Sequence, residues 1–385
     1  MMMRDVVIMG VGMHKFGRFP EETFVALTYP AIEGALKDSG IPFKDIDVAY
    51  CGVVYSSLYD SRRVIQEFGW TGLMIHSVAQ ASGSSAAAFR LACWTVGAGI
   101  HDTALIVGYE KLPKGMLSGT LFPGTSHLDV MGLDPIPGRL ALEMRKRMKQ
   151  YNEPIEAYAK VAAQASEYAS LNPHAHYQER HSVEDVLKSP VICDPLTLYM
   201  CCPTSDGASA VVICSEEKAR KYGLDRAIHV AGVDCGSPQV EDLVGGPGSD
   251  IGGDFKGGNL TKRVAGRLYE KTGIGPEDIR VAQMHDPFTM ATLVDLEALG
   301  LCKEGEAGRF VLEGNIGPNG KIPTNTDGGL LSKGHPMGAT GTAQITEIVK
   351  QLRGEAGKRQ VPNNPKVGLT HSSGAGLINM TILKR

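Results

Sequence analysis

The chain repeats part of itself at an offset of 233 residues, and this constrains its fold more than any other feature. Residues 35–50 read ALKDSGIPFKDIDVAY and residues 268–283 read LYEKTGIGPEDIRVAQ. In register, Gly40 meets Gly273, Ile41 meets Ile274, Asp45-Ile46 meets Asp278-Ile279, and Val48-Ala49 meets Val281-Ala282. Each copy reads as a helix end, a glycine stop, a short turn and a buried strand. A chain with two such copies is expected to fold as two duplicated halves of one architecture.

Its class follows from the alternation of short β-branched runs with longer amphipathic or small-residue stretches, the pattern of α/β proteins. The pattern predicts strands at 6–10, 48–54, 104–108, 211–214, 229–233, 281–285, 367–370 and 378–383. It predicts helices at 21–38, 84–96, 154–170, 260–271, 289–299 and 342–353. The halves are expected at 1–111 plus 196–224 and at 225–385. Between them, 112–195 differs in character, with four prolines from Pro113 to Pro137, a Met/Arg/Lys-rich helix at 140–150, and His174, His176 and His181. This segment is expected to be a mostly helical insertion lying over the first half. Residues 245–259 hold seven glycines in fifteen positions. Without a strand-to-helix setting or a phosphate-binding spacing, they read as a surface loop.

Composition narrows the function classes. In 385 residues, 43% are apolar and 21% charged, which is ordinary globular material. The formal charge of −3, from 39 basic and 42 acidic residues, argues against a nucleic-acid binder or a polybasic membrane anchor. The start of the chain does not read as a signal peptide, and no apolar run approaches the ~18 residues of a membrane span. Eight cysteines are scattered without a CxxC pair, which fits reduced cytoplasmic thiols better than disulfides or a zinc site. A cytoplasmic protein without a metal is the expectation.

Four segments could carry chemistry. Gln80-Ala81-Ser82-Gly83 runs into the small-residue helix from Ser84, whose N-terminus favours a developing negative charge. His335 is fixed between Gly334 and Pro336 in GHPMGATG, a setting suited to proton transfer or oxyanion donation. His285, in HDPF, ends a predicted strand, where open α/β sheets tend to place ligands. His371-Ser372-Ser373-Gly374-Ala375-Gly376 again follows a strand.

Together with CCPTSDGASAVV (201–212) and NTDGGLLSKGHPMGATG (325–341), these segments make the chain resemble the thiolase superfamily. It is most similar to the sterol-carrier-protein-type thiolases, which carry HDCF where other thiolases carry NEAF. The resemblance runs from Val6 to the C-terminus. It implies a five-layer α-β-α-β-α sandwich of two duplicated halves with an inserted loop domain, coenzyme A as the carrier of a thioester substrate, and a homodimer. A small zinc-ribbon plus OB-fold partner subunit is also implied.

The sequence departs from the family at its sulfurs. The family's C-A-S-G cysteine, which is acylated by substrate, is Gln80 here. The HDCF cysteine is Pro287, and the acid/base cysteine of the CxG motif falls at Ser372. A glutamine amide cannot attack a thioester. The resemblance leaves His335 and His285 as donors to a thioester oxygen and the backbone N–H groups of Gln80 and Gly374 as a second oxyanion hole. Cys93 is expected in the core, and Cys201 or Cys202 is the available substitute nucleophile. Two readings stand. One is an acyl-CoA enzyme working at a carbon–carbon bond: retro-aldol or aldol chemistry or decarboxylation suits Gln80, as in decarboxylating ketosynthase-like domains with glutamine at that place, while thiolysis or acyl transfer follows from family membership. The alternative is a non-catalytic or co-catalytic acyl-CoA-binding subunit of a heteromeric complex.

Overall fold

The computed structural model describes residues 4–57, 59–112, 136–239, 258–362 and 364–385. The repeat is visible in the backbone. Helix α1 (Phe24–Ser39) stops at Gly40, in the left-handed region at φ +67, and α8 (Gly258–Thr272) stops at Gly273 at φ +66. A glycine bears no Cβ penalty there. The hydroxyl before each glycine caps the chain beyond it: Ile41 N–H donates to Ser39 Oγ at 3.0 Å and Ile274 N–H to Thr272 Oγ1 at 3.3 Å. A single 3₁₀ turn then leads into β2 (Val48–Gly52) in one copy and β9 (Val281–Gln283) in the other.

The first half comprises β1 (Val6–Met13), α1, β2, α2 (Asp60–Gln66), β3 (Met74–Val78), α3 (Ser84–Gly97) and β4 (Thr103–Glu110). After the insertion, β7 (Gly207–Ser215) and α7 (Glu216–Ala219) close it. The second comprises β8 (Ile228–Gly236), α8, β9, α9 (Thr289–Ala298), α10 (Ala307–Leu312), α11 (Thr340–Arg353), β10 (Val367–Gly374) and β11 (Leu377–Lys384). Strand order is β3-β2-β4-β7-β1 in one half and β8-β11-β10-β9 in the other, the same order read from opposite ends except that, among the described residues, β3 has no counterpart. The halves join where β1 meets β8 at two residue pairs, Val7–His229 and Ile8–Ile228.

Strand periodicity sorts the apolar side chains into layers. Val7, Leu105, Val107 and Val212 face outward onto Leu27 and Ile32 of α1 and Val64 and Ile65 of α2. Their neighbours Ile8, Ile106, Val211 and Ile213 face inward onto Phe89 and Ala92 of α3 and Ile345 and Ile348 of α11, which also cover Val281 of the second half. Leu369, Met380 and Ile382 face the opposite outer layer, with Leu260 and Val264 of α8 and Leu293 of α9. The result is helix, sheet, helix pair, sheet, helix: five layers. Burial of each such Leu, Ile, Val or Phe contributes about 1.5–3 kcal/mol. Small residues let the two central helices touch, since a Cβ on Gly341 would stand 2.4 Å from Ala86 N.

The insertion's described part holds α4 (Ile136–Tyr151), α5 (Ile155–Ser170), α6 (Val183–Lys188) and the small hairpin β5 (Val191–Cys193) and β6 (Leu196–Thr197). It packs on the second half, which corrects the expectation that it covers the first. Leu140, Met144, Tyr158 and Val161 share a core with α8 and α9, and Arg147 pairs with both Glu153 of its own segment and Glu297 of α9. Most of the glycine-rich stretch at 245–259 lies outside the described residues; Gly258 opens α8.

Candidate active site

Chain termini of the central elements bring the four motif segments to one place. The turn between β3 and α3 is built by Ser84, whose Oγ donates to Ala81 O at 2.7 Å and accepts the Gln80 N–H at 2.8 Å. Gly83 N–H donates to Gln80 O at 2.8 Å, and Ala81 adopts φ +42, a conformation that a non-glycine residue takes only when its surroundings hold it there. The β10–β11 hairpin presses against this turn. A Cβ on Gly374 would lie 2.3 Å from Gly83 N and 2.4 Å from Gln80 O, so only glycine fits. Ser372 Oγ donates to Ser82 O at 3.4 Å.

The histidine loop meets the turn from the other side. His335 Nε2 lies 2.9 Å from Ser82 Oγ, and its Nδ1 lies 2.9 Å from Thr340 Oγ1. Its backbone N–H donates to Ser205 Oγ at 3.2 Å, whose hydroxyl also engages His176 Nδ1 at 2.9 Å. Two proton arrangements satisfy the ring. In one, Thr340 turns its proton from Pro336 O, 3.2 Å away, to Nδ1 and Nε2–H points at Ser82; in the other, Thr340 keeps its bond to Pro336 O while accepting Nδ1–H, and Ser82 donates to Nε2. Only the first offers an N–H toward Ser82. The His285 ring packs edge-on to His335 with centroids 5.4 Å apart, and its buried Nδ1 has no partner among the described residues. His371, on the outer face of β10, is separate from this front: its Nε2 is 3.3 Å from Thr261 Oγ1, and its Nδ1 is 3.3 Å from Asp295 Oδ2 without hydrogen-bond alignment.

The imidazoles around the site are uncharged at neutral pH. Burial, with Lys333 behind it, pushes the His335 imidazole down to about 3, and burial does the same for His371. Burial and the two neighbouring imidazoles hold His285 well below the usual histidine range. All three rings are therefore neutral. Burial pushes the Glu110 carboxyl up to about 7, although it accepts the N–H groups of Val54 and Tyr55 at 3.0 Å and of Gly338 at 3.3 Å. Glu110 thus ties the histidine loop to the end of β2. Burial also raises Asp286 to about 7, and its Oδ1 accepts the Leu330 N–H at 2.8 Å. Beneath the loop, Lys333 pairs with Asp327.

The profile "Thiolase, N-terminal domain" matches residues 6–217, and "Thiolase C-terminal domain-like" matches residues 254–383. The chain belongs to the thiolase family. It is 37% identical to benzoylsuccinyl-CoA thiolase subunit BbsB of Thauera aromatica, over 97% of this chain and 95% of that one. It is 36% identical to sterol carrier protein 2 of Homo sapiens, over 97% of this chain and 70% of that one. Among solved structures it is similar to an Ltp2-ChsH2(DUF35) aldolase, with a TM-score of 0.83, 25% identity and coverage of 99% and 97%. Human mitochondrial 3-ketoacyl-CoA thiolase in complex with CoA shares the fold, with a TM-score of 0.74 at 17% identity over 99% and 98% of the chains.

Within this thiolase-family chain, Gln80, His285, His335, Ser372 and Gly374 stand together. Two details differ from the sequence expectation. The Gln80 N–H is not a free oxyanion donor, because Ser84 Oγ, four residues on at the first helical position, already accepts it. His335 Nε2 faces Ser82 rather than open space. Sequence reading did not single out Ser82, Ser205, Thr340 or Glu110, whose roles depend on partners up to 253 residues away. Cys201 and Cys202 run beside the HDPF segment, with Cys202 N–H donating to Pro287 O at 2.8 Å. Burial raises both thiols, Cys201 to about 12, and the Cys201 thiol donates to Thr197 O, so neither is poised as a thiolate. Cys93 is in the core. Among the described residues, no His/Cys/Asp/Glu group is arranged to hold a metal, and no helix is long and apolar enough to cross a membrane.

Proposed function

We propose that this chain is an acyl-CoA enzyme that makes or breaks the carbon–carbon bond beside a thioester by stabilising an enolate, without a covalent acyl-cysteine. The observation that carries this reading is the opposition of Gln80 to an intact histidine loop. The position at which the family is acylated bears a side chain that cannot attack a thioester, while His335 remains buried, neutral and held on both ring nitrogens. A neutral imidazole is a workable oxyanion donor. With the Thr340 proton turned from Pro336 O to Nδ1, the Nε2–H of His335 would bind the thioester oxygen once substrate displaces the Ser82 hydroxyl. His285, beside it, is in this reading the proton acceptor through its unpartnered Nδ1, a change from the oxygen-donor role that the resemblance implies. In the retro-aldol direction it takes the β-hydroxyl proton, the Cα–Cβ pair collapses into the enolate, and the same proton returns to Cα. Each well-aimed oxyanion donor contributes about 10²–10³ in rate.

The aldol direction of this reading is supported by likeness to the Ltp2-ChsH2(DUF35) aldolase. Decarboxylation of a malonyl-type thioester uses the same donors. Thiolysis or acyl transfer, which the relatives' names describe, would need direct attack by CoA or a relocated thiol. The second reading, an acyl-CoA-binding subunit of a heteromeric complex, is favoured by a relative named as a subunit. A small zinc-ribbon plus OB-fold partner fits either reading, with the two-component name of the aldolase as support. A homodimer is part of the proposal. Its support is β3, an edge strand with Met74 half exposed and Trp70 beside it 81% exposed. A cytoplasmic setting is proposed on the eight unpaired cysteines.

Intact-mass measurement after incubation with acetyl-CoA and propionyl-CoA tests the non-covalent step. An unchanged mass is expected, and an acyl adduct on Cys201 or Cys202 would overturn it. Release of an aldehyde or ketone from a 3-hydroxyacyl-CoA separates the enzyme from a binding subunit.

A further inference from the structure

The two halves differ in charge at one matched corner, where a parallel strand pair begins. In the first half, Asp47 N–H donates to Thr103 O at 3.3 Å as β2 and β4 start; in the second, Arg280 N–H donates to Val367 O at 3.1 Å as β9 and β10 start. This shared backbone bond matches Asp47 to Arg280, and Asp102 before β4 to Lys366 before β10. Acids close the first corner. Asp47 Oδ2 accepts the N–H groups of Asp102 and Thr103, both at 2.8 Å, and lies 3.0 Å from the Thr103 hydroxyl. Asp102 pairs with Arg4 at 2.8 Å. In the second half both acids are replaced by cations, and Val367 has no hydroxyl. Arg280 instead turns Nη1 back onto Ile279 O at 3.2 Å and Glu277 O at 2.5 Å.

A cleft of about 710 Å³ lies at this second corner, within the size range of small-molecule sites. Four exposed cations line it, Arg280, Lys321, Lys366 and Lys384, and none of them forms an ion pair among the described residues. Against them stands one lining carboxylate, Asp278, whose Oδ2 accepts the Gly275 N–H at 3.0 Å. The loops bearing Lys321 and Lys366 flank β9 and are anchored by main-chain bonds. Ala282 N–H donates to Pro323 O at 3.1 Å on one side, and the Arg280 bond to Val367 holds the other. Apolar surface completes the lining, from Ile274, Pro318, Pro323, Val361 and Pro365.

Unpaired cations gathered around one concavity repel one another, and a concave wall focuses their field on whatever enters. Arginine and lysine both hold phosphate, and the aliphatic and proline wall offers a surface to an apolar body. We infer that this cleft binds an organic phosphate of nucleotide size, its phosphates on the four cations and its base against the apolar wall. The cleft is apart from the acyl-CoA site, since Ser372 lies further along β10 by about 17 Å of strand rise. The inference does not rest on the reaction proposed above. A free nucleotide and the phosphorylated adenosine end of a second CoA present the same chemistry.

Calorimetry on the full chain at low salt, with ADP, adenosine, pyrophosphate and CoA as probes, tests this. ADP binding with a Kd below about 1 mM reports a free nucleotide, and a second equivalent of CoA per chain reports the CoA-borne one. Adenosine and pyrophosphate should each bind at least about tenfold more weakly than ADP, because each lacks one half of the recognition. Arg280→Asp and Lys366→Asp install the residue of the matched first-half position. Each should weaken this binding at least about tenfold, as expected for losing a charge-assisted hydrogen bond. Lys44→Asp makes the same charge change on the exposed first-half surface and should leave it within about twofold. All three alter exposed side chains, and thermal melting checks that they fold. Absence of both saturable ADP binding and a second CoA equivalent would overturn the inference. So would unchanged affinity in both cleft variants, or pyrophosphate binding as tightly as ADP.

Discussion

Replacing Gly374 by alanine should damage the site through the backbone alone. The new Cβ would stand 2.3 Å from Gly83 N, 2.4 Å from Gln80 O and 2.8 Å from Ser82 N. Carbon contacts settle near 3.5–4.0 Å, so the turn or the hairpin must retreat by about 1 Å. None of these atoms can rotate away, because all belong to the main chain. Overpacking of this kind costs about 1–3 kcal/mol. The catalytic loss should be larger in proportion. Ser82 is the residue that touches His335 Nε2 at 2.9 Å, and a misplacement of about 1 Å costs about 10² in rate. The assay is turnover of a 3-hydroxyacyl-CoA alongside thermal melting, with Gly266→Ala in α8 as the control. A Cβ at 266 would meet nothing within 4 Å, and that variant should be neutral or gain about 0.4–1 kcal/mol. Gly374→Ala with wild-type turnover and melting temperature would refute the claim that this close approach positions the site.

His335→Asn should lower kcat at least about tenfold while acyl-CoA affinity changes little, as expected for loss of an oxyanion donor; equal activity would remove the assignment. Light scattering should give a dimer, since the exposed face of β3 needs a partner; a monomeric species counts against that pairing. Glu110 predicts a pH dependence of stability. Its folded-state carboxyl, pushed to about 7, lies above the ordinary 4.5, so its contribution is complete below about 4.5 and is lost as pH rises through about 7. The loss has an upper bound of about 3 kcal/mol. Denaturant melts of Glu110→Gln at pH 5 and pH 8 should therefore differ less than those of the wild type, and an identical pH slope would contradict the assignment.

Much of the architecture is legible along the chain because it rests on local signals. The glycine stops at 40 and 273 and the buried runs after them announce the duplicated unit before any contact is known. Where local signal is thin, the reading falls short. β3 reads MIHSV, and at the sheet's edge most of its residues are exposed, so it lacks the continuous apolar run that marks β4 or β7. α2 has only seven residues, too few for a helical period to stand out. The insertion's choice of the second half depends on Arg147 meeting Glu297 and on Tyr158 and Met144 meeting α9, which no window of sequence contains. At the site, His335, His285, Gln80, Ser372 and Gly374 can be named from motif glycines and histidines. Ser82, Ser205 and Thr340 cannot, since serine and threonine recur throughout the chain and acquire meaning only from the ring nitrogen or amide they meet. The same holds for the Gln80 N–H: which acceptor takes it depends on the Ser84 rotamer rather than on the residue's name.

The most direct test of the central claim is a crystal structure with an acyl-CoA bound in the site. The account predicts the thioester oxygen within about 3.2 Å of His335 Nε2, with no cysteine Sγ within about 3.5 Å of the thioester carbon. A sulfur from Cys201 or Cys202 against that carbon, or the His335 ring turned away from the oxygen, would contradict it.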